Sequence, residues 1–201
     1  MSTGPDEELL EELFKADDDG EVGYVRYLCE LVLQKHPDHW RTLLCHASNL
    51  TALAQYELAA EALDRADACI PAKQRYLLYY GRGHLAEARG LFADAEALFL
   101  QAHQGQPAEA TGLILAGSAA FRDGRIGRAE ELARKAIECP RGCIDEAYFN
   151  LGGYLLSQKR YSEARECYQK AIELDPDYDE AYQRLADVNR TLLHRYEREG
   201  N

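Results

Sequence analysis

The stretch Asp145–Tyr178, DEAYFNLGGYLLSQKRYSEARECYQKAIELDPDY, carries two apolar periodicities separated by a short polar break. Tyr148, Leu151, Gly152 and Leu155 recur at helical spacing, and so do Ala164, Tyr168 and Ala171 beyond Lys159 and Arg160. The pattern predicts two amphipathic helices joined by a short turn. Pro176 stops the second helix. A pair of helices with one apolar stripe each cannot bury both stripes alone, so the unit requires similar neighbours on either side.

Those neighbours are present. Working back from Asp145, a fourth unit over 110–144 carries Leu113, Gly117 and Ala120, then Ala129, Ala133 and Ala136, with Pro140 one place early and a short Arg-Gly-Cys-Ile loop after it. A third over 76–109 carries Tyr79, Gly83 and Ala86, then Ala95, Phe99 and Ala102, and closes at Pro107. The second, 40–73, closes at Pro71 and is followed by the inserted pair Gln74 and Arg75. The first, 6–39, is the most degenerate copy, as a terminal repeat with one side toward water should be. Residues 179–198 predict one more helix with no second helix behind it, a capping helix. Val25, Ala59, Ala95, Ala129 and Ala164 are successive equivalents, 34, 36, 34 and 35 residues apart.

With these residues in register, the chain resembles the tetratricopeptide repeat (TPR) family. The family pattern asks for large or small residues at set places, and the 145–178 unit answers with Tyr148, Leu151, Gly152, Ala164, Tyr168, Ala171 and Pro176; only its eleventh place, Leu155, departs from the aromatic norm. The third unit answers with Tyr79, Gly83, Ala95, Phe99, Ala102 and Pro107, but has Arg82 at the seventh place. The resemblance implies an all-α, right-handed superhelix, or solenoid, of about five helix hairpins plus a C-terminal capping helix, forming a single domain over residues 1–201. Small residues at Gly152 and Ala164 let helices approach closely, with Tyr148 and Tyr168 filling the wedges between them.

Composition agrees. An apolar share of 46% with only 6 Pro and 15 Gly suits a helical protein and argues against a disordered one. A formal net charge of −12 disfavours nucleic acid and anionic membranes as partners, because the long-range field repels phosphate. Residues 1–8 lack the pattern of a signal peptide and no run of about 18 apolar residues occurs, so a cytoplasmic protein is expected. The early acidic run from Asp6 to Glu21 reads as a solvated cap.

Little in the sequence suggests catalysis. Cys139 and Cys143 form a C-x3-C pair with no second pair to complete a tetrahedral set, and most of the six cysteines fall in or beside predicted helices as small hydrophobes. Gly81-Arg82-Gly83 lies within a predicted helix, not after a strand, so it is a packing feature. His84 and Glu87 lack a third ligand. No metal, no cofactor and no enzymatic activity are expected.

The candidate site is a groove. In TPR proteins the first helices line the concave face, and the places that point into it imply Leu44, Ser48, Tyr80, His84, Ile114, Ser118, Phe149, Asn150, Gln183 and Arg184 here. Leu44, Tyr80, Ile114 and Phe149 stack as an apolar stripe flanked by polar groups, which suits an extended peptide or amphipathic helix of a protein partner. The alternative is that these residues pack against adjacent first helices. Family members that grip an acidic chaperone tail use a clamp of Lys, Asn and Arg; Asn150 and Arg184 match it, whereas Ile114, Ser118 and Glu180 do not. The function implied is a protein-binding scaffold or adaptor, with a homo-oligomerisation module or a chaperone of a secreted protein as alternatives.

Overall fold

A computed structural model describes residues 7–199, and its described residues form eleven α-helices and one 3-10 turn. They are α1 (Glu7–Asp18), α2 (Val22–Lys35), α3 (Trp40–Ala52), α4 (Tyr56–Cys69), a 3-10 turn (Ala72–Gln74), α5 (Arg75–Ala88), α6 (Phe92–Gly105), α7 (Thr111–Arg122), α8 (Ile126–Ile137), α9 (Ile144–Ser157), α10 (Tyr161–Leu174) and α11 (Asp179–Glu199). The 3-10 turn ends at Gln74 and Arg75 opens α5, so the inserted pair straddles that junction. No helix among the described residues is long and apolar enough to cross a membrane.

Each hairpin closes the same way. The turn residue in the left-handed region is Gly20, Ala54, Gly90, Gly124 and Lys159 in turn, and these are 34, 36, 34 and 35 residues apart, the same steps as the apolar register. The amide after each donates back to the carbonyl five residues earlier: Glu21 to Ala16, Gln55 to Leu50, Leu91 to Ala86, Arg125 to Ala120 and Arg160 to Leu155. This satisfies carbonyls that a helix end otherwise leaves without partners. Three of the five positions are glycine, the residue that takes this conformation without a Cβ penalty.

Small residues set the packing. Val25, Ala59, Ala95, Ala129 and Ala164 are all at most 1% exposed, which confirms the register. At Gly152 a Cβ would stand 2.8 Å from Cε1 of Tyr168, itself buried, so α9 and α10 are as close as a glycine allows.

The array groups into two compact units, one up to Leu98 and one from Phe99, with the division inside α6. In the first, a core of Leu43, Leu50, Leu63 and Leu78 lies between α3, α4 and α5, and a second of Leu13, Val25, Leu28, Cys29 and Cys45 joins α1, α2 and α3. In the second, α7 packs on α8 and α9, α9 on α10, and α10 on α11.

Candidate functional site

In the second unit the first-helix side of α7, α9 and α11 holds a cavity of about 420 Å³. Four of the expected site residues line it: Ser118, Phe149, Asn150 and Arg184. Phe121, Arg122, Gly153, Leu156, Tyr154 and Tyr168 complete the wall. The floor is aromatic and ordered by ring contacts. Phe149 lies 5.6 Å from Tyr168 and 4.9 Å from Tyr178, and Phe121 lies 4.9 Å from Tyr154, centroid to centroid. Such offset and tilted pairs hold rings in place beyond simple burial. The hydroxyls of Ser118 and Tyr154 lie 3.4 Å apart, and burial raises the Tyr154 phenol above its ordinary value, so it remains a neutral hydrogen-bonding group at the cavity wall.

Polar groups sit at the rim. Asn150 hydrogen-bonds Glu146, whose carboxyl is raised by burial and by Asp145 against that bond. Arg184 reaches Glu180 across one helical turn at 3.5 Å, with about half of each side chain exposed. The charged residues lining the cavity are the two arginines, Arg122 and Arg184, in a chain of net charge −12. Glu180 therefore competes locally for Arg184 with any carboxylate that enters.

Ile114 requires a correction to the expected stripe. It is 4% exposed and buried, on a helix that packs on α8 and α9 and buries more than half of its residues. Its side chain is not offered to a ligand. Gln183 is exposed on α11 but does not line the cavity.

The first unit offers a separate cavity of about 470 Å³, lined by Leu44 together with Phe14, Trp40, Arg41, Gln74, Tyr76 and Leu77. Leu44 is the one expected site residue found there. The Arg41 guanidinium lies 5.3 Å from the Trp40 ring centroid, a cation–π contact that orients both. Ser48 is exposed, Tyr80 is half-buried with its ring edge-on to Tyr76 at 6.3 Å, and His84 is exposed with Glu87 3.8 Å away. These three lie outside that cavity.

Arg122, Tyr154, Phe14 and Trp40 are not among the residues that the repeat register directs to a site. Trp40 carries a signal, being the single Trp in the chain and standing at the first residue of its unit. Phe14 comes from the degenerate first hairpin, and its place in the same cavity wall as Trp40 depends on the packing of α1 that no periodicity gives.

Three tetratricopeptide repeat models match the chain, over residues 77–142, 145–178 and 167–199. Among solved structures, a thermophilic TPR protein of Thermus thermophilus aligns with a TM-score of 0.73 at 20% identity, covering 90% of this chain and 97% of that one. MamA from Desulfovibrio magneticus RS-1 aligns with a TM-score of 0.66 at 17% identity over 86% of this chain and 96% of its own. The first TPR of Spaghetti (RPAP3), bound to the HSP90 peptide SRMEEVD, aligns with a TM-score of 0.55 at 22% identity, covering 60% of this chain and 95% of that one. No match was found among curated protein sequences. At these identities the likeness to solved structures bears on the fold. With the repeat matched over residues 77–142 and 145–199 and its helix hairpins present through the described residues, the chain belongs to the tetratricopeptide repeat family.

Proposed function

We propose that this protein is a non-enzymatic, cytoplasmic adaptor that binds a peptide segment of a partner protein on the first-helix face of its second unit. The observation that carries the reading is the cavity that gathers Ser118, Phe149, Asn150 and Arg184 around an aromatic floor. An apolar side chain of the partner enters beside Phe149 and Phe121, and burial there supplies most of the affinity. Asn150, Arg122 and Arg184 at the rim set the direction of the bound segment and favour a carboxylate next to the apolar anchor. The peptide-bound Spaghetti domain supports a peptide as the kind of ligand, through fold likeness alone. Six free cysteines suit a reducing compartment.

The test is selection of phage-displayed random peptides on the wild-type chain, followed by titration of an enriched peptide against Phe149→Ala and Arg184→Glu. Phe149→Ala should weaken binding by about 2 kcal/mol or more, the scale of a central anchor. Melting curves of each variant separate lost binding from lost folding. Equal affinity for all three proteins, with folding intact, refutes the site.

A second reading is self-association, and one observation favours it. On α11, Tyr182 is 47%, Leu193 59% and Tyr196 78% exposed, at spacings that put all three on one stripe. Exposed apolar side chains along one face of a helix support a contact with another copy of the chain.

A further inference from the structure

Cys29 on α2 and Cys45 on α3 come from neighbouring hairpins of the first unit, and their sulfur atoms lie 3.9 Å apart. Among the described residues they are the only two cysteines in sulfur contact, although all six are free. Both are buried, at 0% and 8% exposure, within the core that joins α1, α2 and α3. We infer that Cys29 and Cys45 form a reversible disulfide under peroxide, a redox site that ties the first hairpin to the second.

The geometry favours this pair over the others. A disulfide has a bond of about 2.05 Å, so sulfurs at 3.9 Å need to close by roughly 2 Å. The two thiols are also chemically unequal. The hydrogen bond between the two sulfurs lowers Cys29 and raises Cys45, and His46 adds to the stabilisation of a thiolate at Cys29 against the opposing effect of burial. Cys69, Cys139, Cys143 and Cys167 are all raised, with burial the leading cause in each. Cys29, with His46 beside it, is the thiol drawn first in the steps below, and the same disulfide forms if Cys45 reacts first.

The chemistry balances with hydrogen peroxide as oxidant. The Cys29 thiolate attacks one peroxide oxygen, the O–O bond breaks, and Cys29 sulfenic acid forms with release of hydroxide. The Cys45 sulfur then attacks the Cys29 sulfur, the S–O bond breaks, and water leaves as the S–S bond forms. Two thiols are oxidised by two electrons and one peroxide is reduced to two waters. Burial limits entry to a small oxidant, and local opening of the terminal hairpin provides the path. Leu44, next to Cys45 on α3, lines the first unit's cavity.

The test uses the full chain treated with hydrogen peroxide, blocked with N-ethylmaleimide and digested without reduction. The expected product is a peptide pair joined through Cys29 and Cys45, about 2 Da lighter than the two thiol peptides together. The melting temperature should rise by on the order of 5 °C, because the cross-link closes a short loop in the unfolded chain, and dithiothreitol should reverse the rise. In Cys45→Ala and in Cys29→Ala, peroxide should give neither this peptide pair nor a dithiothreitol-reversible rise in melting temperature. Oxidation confined to Cys139 or Cys143 with Cys29 and Cys45 both alkylated, cross-links between chains, or a dithiothreitol-reversible rise in melting temperature that persists in Cys45→Ala overturns the inference.

Discussion

Gly152 shows how closely two helices of one hairpin are set. A methyl group there would meet the Tyr168 ring at 2.8 to 3.0 Å along three of its carbons, and Tyr168 is 1% exposed and cannot swing away. Gly152→Ala should therefore cost about 1–3 kcal/mol by overpacking, read as a lower melting temperature, and Ala164→Leu on the facing helix should cost a similar amount. An unchanged melting temperature for both would mean that the helices part more readily than their contacts indicate. A polar contact joins α8 to the turn before α10. Glu130 accepts from Gln158 at 2.8 Å, from Arg160 at 2.8 and 2.9 Å, and from Arg134 at 2.8 and 3.0 Å. Burial alone would raise its carboxyl, but the bonds from Gln158, Arg134 and Arg160 outweigh it and hold Glu130 down at about 2. Because the folded value lies below the unfolded one of about 4.3, the carboxylate stabilises the fold fully above that pH and the contribution disappears as pH falls toward the folded value. Glu130→Gln should lower the melting temperature at pH 7 by several degrees, with the gap to wild type closing between about pH 4 and pH 2. A gap that stays constant with pH would assign the loss to packing instead of charge.

At the scale of the helix and its turn, the hairpins are legible because one chemical requirement recurs at one spacing. Four of the five hairpins have alanine where the helices meet, so Ala59, Ala95, Ala129 and Ala164 announce themselves in the sequence and are fully buried in the structure. The left-handed turn residue is legible only where it is glycine. Ala54 and Lys159 adopt φ of 56° and 63° with a Cβ present, and nothing in their identity signals it. Lys159→Gly should therefore stabilise the fold by about 0.5–1 kcal/mol, the relief of left-handed strain exceeding the entropy lost by glycine. Equilibrium denaturation decides it, and a lower midpoint would mean that the αL strain at this turn is small. The same logic explains what stays hidden in the site. Phe149, Asn150 and Arg184 occupy places whose direction the repeat fixes, so the sequence points to them. Ile114 occupies an equivalent place, yet it is buried, and such burial depends on how tightly the neighbouring helices pack. Arg122 and Tyr154 join the cavity from places that repeat register does not direct toward it. Cys29 and Cys45 meet only because α2 and α3 pack side by side, a tertiary contact without periodic signature.

For the molecule as a whole, the two readings of function differ in what they require of α11. Its inward stripe, with Ala181 and Val188 buried, packs on α10, while Tyr182, Leu193 and Tyr196 stay exposed on the next face round the helix. Arg184, on the rim of the second unit's cavity, belongs to the same helix. If the exposed stripe pairs with another copy, burying two tyrosines and a leucine from each chain favours association, and the net charge of −12 per chain opposes it through long-range repulsion. Salt screens that repulsion over distances beyond about 8 Å at physiological ionic strength and leaves apolar burial in place. Self-association through α11 should therefore strengthen as salt is raised from low to physiological concentration, the reverse of an interface held by ion pairs. Light scattering after size-exclusion chromatography, across a wide range of protein and salt concentrations, reads this directly. A mass that stays monomeric throughout leaves the cavity beside Phe149 as the working surface. A dimer that grows with salt and vanishes in Leu193→Glu with Tyr196→Glu assigns the stripe to self-association, and a dimer that persists in that variant places the interface elsewhere on the chain.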